Sequence, residues 1–587
     1  MEITQLIKEA VVKAVSELYG QAVQEREVQI APTRKEFEGN YTVVVFPFTK
    51  AAKKAPPAIA EELGTYLTEN VADISGFNVI KGFLNLTISE SYWAKYLESI
   101  SAQENYGKYM PNGKTAVVEY SSPNTNKPLH LGHIRNILLG WSMSQILDAA
   151  GYDVKRVQII NDRGIHICKS MLAWQKFGEG QTPESLHKKG DHLVGQYYVV
   201  YNNEEKEQRA KLEAAGDSDT EPQILQEARE MLLKWEAKDP EIRQLWETMN
   251  GWVYAGFEET YKNLGVSFDK LYYESETYLL GKSIIEEGLA KNVFYTEKDG
   301  SVWIDLEDVK LDKKIVLRSD GTSVYMTQDL GTAQERYKDF QMDTATYVVG
   351  DEQDHHFKVL FEILKRLGEP YADKLYHLSY GMVGLPSGKM KSREGTVVDA
   401  DDLMAEVVNI AREESLERGD VSGLTPEQQQ ESWRRIGMAA LKYHMIRVTP
   451  RKKMLFDPKE SVDIQGQSGP FIQYSYVRTK SVLAKAGEWD IDISTYQNPQ
   501  PQEKDLLMLI RKYPDTIAEA AKNYDPSLIA NYAYELSKSF NKFFHDVQIL
   551  RAETQAGKGF RLTLTQMVGR VLTSALDLIG IEVPERM

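Results

Sequence analysis

Three things are scarce in this chain, and each shortage excludes a class of protein. It has one cysteine in 587 residues, Cys168, so neither a disulfide scaffold nor a zinc site built from several thiolates is available. No run approaches the roughly 20 apolar residues that a membrane-spanning helix needs. The start, MEITQLIKEAVVKAV, has charges among its apolar positions and reads as an amphipathic helix rather than a signal peptide. There is no basic surplus either: 70 Lys+Arg stand against 86 Asp+Glu, a formal charge of −16, which taken alone argues against a nucleic-acid partner. The distribution of charge weakens that exclusion. Residues 201–260 hold 15 acidic and 7 basic residues, whereas 501–587 hold 11 of each, so acidic helices can face solvent while RNA meets neutral or locally basic surface. A reducing cytoplasm is the expected location.

The length exceeds what one hydrophobic core supports and implies several domains. Residues 1–105 combine helical periodicity with a β-rich stretch, YTVVVFPF (41–48), and read as an α+β N-terminal domain. PNGKTA (111–116) is a turn-rich linker. Strand-like TAVVEYS, helical IRNILLGWSMSQILDAAG and strand-like VKRVQIIND then follow in βαβ order. That order predicts an α/β domain with a doubly wound parallel sheet of Rossmann type over 113–400. The charged stretch at about 170–275 reads as a helical insertion, after which KIVLRS, ATYVVG and YHLSYGMVG resume the βα pattern. Residues 401–587 read as an all-α domain.

The strongest local signal is SSPNTNKPLHLGHIRN (121–136). His130 and His133 stand three apart where a strand gives way to a helix, so both rings can project from one face. Gly132 between them lets a nucleotide approach the backbone, and a helix N-terminus there favours phosphate oxygens. The competing reading, a metal pair or two surface histidines, loses to the strand–loop–helix context. A second segment, LPSGKMKSREGTVV (385–398), reads as a flexible loop bounded by Gly388 and Gly395 that carries Lys389, Lys391 and Arg393. Such cations can stabilise charge on a transferring phosphoryl group.

HLGH resembles the HIGH motif of class I aminoacyl-tRNA synthetases, and KMKSR resembles a degenerate KMSKS loop. The resemblance implies attack of an amino-acid carboxylate on the α-phosphate of ATP, loss of pyrophosphate and transfer to tRNA. It places His130, Gly132, His133, Met390 and Ser392 on ATP. It makes the two histidines, Lys127, Lys389, Lys391 and Arg393 the catalytic groups, with the histidines holding the triphosphate rather than acting as nucleophiles. The loop departs from the family pattern: Lys391 occupies the usual serine position and Ser392 that of the second lysine. Arginyl-tRNA synthetases with such loops are similar to this chain in carrying a lysine just before the histidines, here Lys127.

Three more segments resemble arginyl-tRNA synthetases in particular. A guanidinium demands carboxylates in a planar, bidentate arrangement. EYSSPN supplies Glu119, Ser122 and Asn124, YMTQDLGTA supplies Tyr325 and Asp329, four apart on one helical face, and YVVGDEQDHH supplies Gln353. Asp329 matches the acid that pairs with the guanidinium. The resemblance implies an arginine–tRNA ligase whose partners are L-arginine, ATP with substrate-borne Mg2+ and tRNA(Arg), a monomer with no protein-bound zinc and no membrane association. His355 and His356 with Asp351 and Asp354 are read against a metal site, because adjacent residues point to different faces.

For tRNA, GPFIQYSYVR puts Tyr474 one helical turn from Arg478, an aromatic platform beside a cation suited to an unpaired base, and resembles the family's anticodon-binding helices. SKSFNKFFHD repeats the theme with Phe540 and Phe544, where a core role weighs equally, and IEVPERM resembles family C-termini that tuck a residue, here Met587, beside the anticodon. FEGNYTVVVFPF resembles the family's extra N-terminal domain and implies Asn40 and Tyr41 as contacts to the tRNA elbow. Two alternatives stand: another class I synthetase, disfavoured by the single cysteine and by Asp329 beside Glu119, and an inactive RNA-binding paralogue, disfavoured by His130, His133, Lys389 and Asp329.

Overall fold

Alternation decides the N-terminal sheet. In Tyr41–Val44 every second residue is buried, and the strand lies second in an antiparallel order Ile30–Pro32, Tyr41–Val44, Phe83–Ile88, Ile74–Ile80. Two helices accompany it. Ile3–Tyr19 buries Ile3, Ile7, Val11, Ala14 and Val15, a stripe at helical spacing. Pro56–Asn70 starts on proline, whose missing N–H costs nothing in the first turn. The computed structural model of the chain describes residues 3–34, 36–322, 324–386, 398–418 and 423–587. The chain folds as two compact units, the first comprising Met1–Tyr106, Thr479–Ile510 and Ser539–Val568.

Two sequence expectations are corrected in this first unit. The same alternation that makes Tyr41 a strand residue turns its ring inward: it is fully buried, its hydroxyl 3.2 Å from Met508 Sδ, so the ring is not presented at the surface where an elbow contact was expected. Phe540 is also fully buried, in the inward stripe of helix Ser527–Asp546 with Leu536 and Phe543, and is core rather than a stacking platform. Asn40 is partly exposed, and its Oδ1 accepts a hydrogen bond from the Ile88 N–H at 2.9 Å. Phe544 presents an exposed ring beside Phe540.

The second unit comprises Gly107–Arg478, Arg511–Lys538 and Gly569–Met587. Its centre is a parallel five-stranded sheet of β1 (Thr115–Glu119), β2 (Asp153–Ile160), β3 (Lys270–Tyr273), β4 (Thr344–Gly350) and β5 (Leu375–Tyr380), in the order β5-β4-β1-β2-β3. β1 and β4 carry nearly continuous buried runs, as strands covered on both faces must. Helix α1 (Leu131–Ala149) packs against β1, β2 and β4 and is buried almost all round. The insertion between β2 and β3 holds α2 (Ile165–Phe177), α3 (Gly190–Ala214), α4 (Gln223–Glu236) and α5 (Pro240–Leu264). Helices α6 (Tyr325–Phe340) and α7 (Asp354–Leu367) flank β4 in sequence, and α8 (Ala400–Arg418) follows β5.

One strand goes elsewhere. Lys314–Leu317, read from sequence as part of the βα series, pairs antiparallel with Val302–Ile304 in a separate three-stranded sheet. The link between those two strands is too short for the crossover that a parallel neighbour requires. Beyond α8 the described chain is helical apart from Met454–Leu455, which pairs in parallel with Val383–Gly384.

Candidate active site

In an open α/β sheet, ligands bind beyond the carboxyl ends of the strands, at the point where the winding reverses. Here that point lies between β1 and β4. The chain leaves β1 through strained backbone: Ser121 has φ 75° without being glycine, a conformation that persists only when its surroundings hold it. They do so here. The Ser121 N–H donates to Asn136 Oδ1 at 2.6 Å, and its hydroxyl bonds the Tyr261 hydroxyl at 2.8 Å.

His130 and His133 are less alike than two residues on one helical face. His130 is the N-cap of α1, with extended backbone (φ −138°, ψ 175°), and His133 is the third helical residue. Their caps are reciprocal. The Gly132 N–H donates to His130 Nδ1 at 3.1 Å, and the His130 N–H donates to His133 Nδ1 at 3.2 Å. Both Nδ1 atoms are therefore acceptors, which places the proton of each neutral ring on Nε2. The rings are 3.9 Å apart between centroids. Burial, reinforced by Lys127, lowers His130 to about 4 against a pull from Asp399, and burial, then His130 and Lys127, holds His133 well below the usual histidine range. A Cβ at Gly132 would sit 3.1 Å from the His130 ring, so the missing side chain leaves room for that ring.

Lys389, Met390, Lys391, Ser392 and Arg393 lie outside the described residues, but the segments on either side of that loop are both tied to α1. The buried Arg135 guanidinium donates to the carbonyls of Gly381, Lys452 and Pro450. On the far side, Leu131 N–H donates to Val398 O at 2.9 Å and Ala400 N–H to Leu129 O at 3.0 Å, so that His130 and Asp399 form an antiparallel bridge.

The other end of the crevice is acidic. Glu274, just past β3, has its carboxyl pushed up to about 7 by burial; Arg163 opposes the shift, the charges of Asp162 and Asp329 add to it, and Gln328 donates a hydrogen bond. Asp162, just past β2, is also raised by burial, yet its carboxylate already accepts from Ser275 N–H at 2.8 Å, Ser275 Oγ at 2.7 Å and the Tyr254 hydroxyl at 2.9 Å. That makes it a brace, and leaves Glu274 and Asp329 as the groups able to meet a new cation. Asp329, on α6, has its Oδ2 2.6 Å from His356 Nε2.

Sequence reasoning named neither Glu274 nor the role of His356. Following the chain past each strand's carboxyl end would have reached Glu274, which no motif marks. Glu119 is committed differently from the sequence expectation: its buried carboxylate is ion-paired to the buried Arg336 and accepts a hydrogen bond from Ser122 Oγ at 3.1 Å. Breaking such a buried pair costs about 3–5 kcal/mol. Tyr325 (77% exposed), Asn124 and Gln353 present accessible side chains. His355 faces Asp312 at 3.8 Å and His377 faces Asp354 at 3.3 Å, so the acids and histidines of this stretch are dispersed among different partners. Tyr474 is exposed with the Arg478 guanidinium 4.8 Å from its ring centroid, and Met587 packs against a small core of Ala411, Ile436, Ala440 and Val462.

Three family models match the chain: the arginyl tRNA synthetase N terminal domain over residues 2–88, the tRNA synthetases class I (R) catalytic domain over 96–457, and the DALR anticodon binding domain over 472–587. Curated relatives described as arginine–tRNA ligase are 52% identical in Parabacteroides distasonis and in Bacteroides thetaiotaomicron, each alignment covering 100% of both chains. Among solved structures, Thermus thermophilus arginyl-tRNA synthetase superposes with TM-score 0.79 at 23% identity over 100% of both chains. The Plasmodium falciparum enzyme gives 0.78 at 18%, over 100% of this chain and 99% of that one. At those identities the likeness speaks for the fold.

Proposed function

We propose, from the premise that this chain belongs to the arginyl-tRNA synthetase family, that the two ends of the crevice divide the labour of arginine–tRNA ligation. The reaction joins L-arginine to tRNA at the expense of ATP. At the α1 end, His130 and His133 offer Nε2–H donors, and the helix N-terminus adds its partial positive charge, where negative charge develops on the transferring α-phosphate and on the departing pyrophosphate. Because both rings are neutral, they contribute direction, and the permanent charge comes from Lys127 with Lys389, Lys391 and Arg393; Met390 and Ser392 complete the ATP contacts. Mg2+ arrives with ATP as part of the substrate.

At the β2–β3 end, Asp329 and Glu274 pair with the guanidinium, His356 orienting Asp329. Ser122, Asn124, Tyr325 and Gln353 surround the rest of the amino acid. Glu119, already neutralised by Arg336, fixes Ser122 instead of supplying counter-charge. Tyr474 and Arg478 receive an anticodon base, Phe544 and Met587 are further contacts to tRNA, and Asn40 is a contact at the elbow. The enzyme works as a cytoplasmic monomer; no helix of the described residues is long and apolar enough to cross a membrane.

The observation that carries the substrate assignment is an acid held near neutrality beside Asp329, at the strand ends of the sheet whose first turn presents two neutral imidazoles. ATP–pyrophosphate exchange across the standard amino acids, with tRNA(Arg) present, tests it. Exchange with arginine alone is expected. Exchange driven by another amino acid, or RNA binding without exchange, overturns the reading.

A further inference from the structure

The insertion helix α3 touches the histidine turn from two sides. On one side Gly195 lies so close to Pro128 that a Cβ would stand 2.6 Å from its Cδ. On the other, His192 Nε2 is 3.2 Å from Asp399 Oδ2 and 3.3 Å from Asp401 Oδ2. Lys189, the N-cap of α3, brings its ammonium 2.6 Å from Asp401 Oδ2 and 3.3 Å from Asp191 Oδ2. Thr260 of α5 completes the group, its Oγ1 donating to Asp401 Oδ1 at 3.1 Å. The close packing of α3 on α5 depends on glycine: a Cβ at Gly190 would meet Trp252 O at 2.1 Å, and one at Gly256 would meet Asp191 Oδ1 at 2.3 Å.

Asp191, His192 and Asp401 hold their ligand atoms within 4.8 Å of one another, as a cation site does. The Lys189 ammonium already stands between two of those carboxylates, however, so the cluster has its cation built in. Burial opposes charge on His192, but Asp399 and Asp401 hold it up to about 10, while His192 and Lys189 hold Asp401 down to about 2 against its own burial. Within the network His192 and Asp401 are thus both charged at neutral pH, while burial raises Asp191. Its anionic members are not free-standing: Asp399 is the residue bridged to His130 through the backbone, and its Oδ1 caps the start of α8 by accepting from the N–H groups of Asp401 and Asp402.

We propose that Lys189 and His192 are positioning residues for the ATP half of the reaction: by holding Asp399 and Asp401 they fix the backbone pairing on which His130 rests. The proposal rests on the phosphate role given above to His130 and His133. A turn gripped at Pro128 and at Asp399 cannot shift without moving a phosphate donor, and a displacement of order 1 Å can cost about 10²-fold in rate.

The test is ATP–pyrophosphate exchange, with tRNA(Arg) present, in the full-length enzyme carrying His192→Ala, Asp399→Asn or both. Asparagine caps a helix as well as aspartate does, so Asp399→Asn removes the charge facing His192 and keeps the cap. Each single change is expected to raise KM for ATP or lower kcat by about tenfold, with KM for arginine unmoved. The double variant should be no worse than the poorer single one, because both break the same contact. His192→Lys, which keeps a cation, should recover part of the loss, and Gly195→Ala, which presses on Pro128 without touching a charge, should reproduce it. If His192→Ala does not fold, Asp399→Asn and Gly195→Ala carry the test with the same readouts. Strict additivity, or arginine and ATP constants worsening together, overturns the proposal. So does normal ATP kinetics in these variants while His133→Ala is impaired. Should His133→Ala also be silent, the phosphate role of the histidines falls, and this inference falls with it.

Discussion

The two ends of the crevice reach opposite chemistry by the same means. Burial lowers His130 and His133 and raises Glu274, so in each case it disfavours the charged form. In the division of labour proposed above, this leaves neutral donors for an anion at the α1 end, with charge delegated to Lys127, Lys389, Lys391 and Arg393. At the β2–β3 end it leaves an acid ready to ionise when a cation arrives. A polyanion site needs direction without excess attraction, whereas a cation site needs a counter-charge that is costly to keep unpaired; desolvation serves both.

The largest effect should come from breaking the neutral end. His133→Ala is expected to slow adenylate formation by about 10²-fold, the loss typical of one transition-state donor, and to leave arginine affinity unchanged. A parallel loss of arginine affinity would mean that the two ends are not separable. At the acidic end, Asp329→Asn keeps size and one acceptor but removes a charge worth roughly 1.5–3 kcal/mol in a charge-assisted bond. Arginine activation should fall at least about tenfold, while inhibition by citrulline, which is uncharged, should change far less. Equal loss for both ligands would assign the guanidinium contact to another residue.

The smallest effect is the most diagnostic of the comparison. Glu274 must lose its proton to pair with a guanidinium, so arginine affinity should rise as pH increases through about 7. Glu274→Gln should flatten that rise. Without arginine the sign for stability is opposite. A carboxyl whose folded-state value lies above 4.5 holds a proton that the unfolded chain has released, so its stabilising contribution is complete below that value and is lost as pH climbs through about 7. Melting temperatures of the unliganded enzyme between pH 5 and about 8 should therefore fall slightly less in Glu274→Gln. An unchanged pH profile in both measurements would remove Glu274 from the guanidinium site.

Much of this was readable from the residues in order. The strand–turn–helix context of HLGH and the positions of β1, β2, β4 and β5 follow from short apolar runs and helical periodicity. What escaped was set by contacts distant in sequence. Glu274 carries no motif and gains its meaning from burial beside Asp162 and Asp329. The commitment of Glu119 to Arg336, and of Asp329 to His356, pairs residues on different elements. Tyr41 and Phe540 were different: strand alternation in one was visible in the sequence and outweighed by the resemblance, while the three-four spacing of Leu536, Phe540 and Phe543 in the other left a core role and an RNA contact equally weighted. Lys314–Leu317 was a true ambiguity, since a four-residue apolar run does not reveal which sheet it joins.

Reciprocal capping has a consequence for how such a sequence can drift. Each histidine satisfies a backbone N–H within the motif, His133 that of His130 and His130 that of Gly132. On the phosphate role proposed above, replacing one imidazole would therefore withdraw a phosphate donor and loosen a helix terminus in the same step, a cap being worth about 0.5–2 kcal/mol. A lineage that lost one ring would meet a double penalty at once and could recover little by adjusting the other. The pair should therefore behave as a single trait, and mutational intermediates carrying one histidine should be rarer than the independent tolerance of either position would allow.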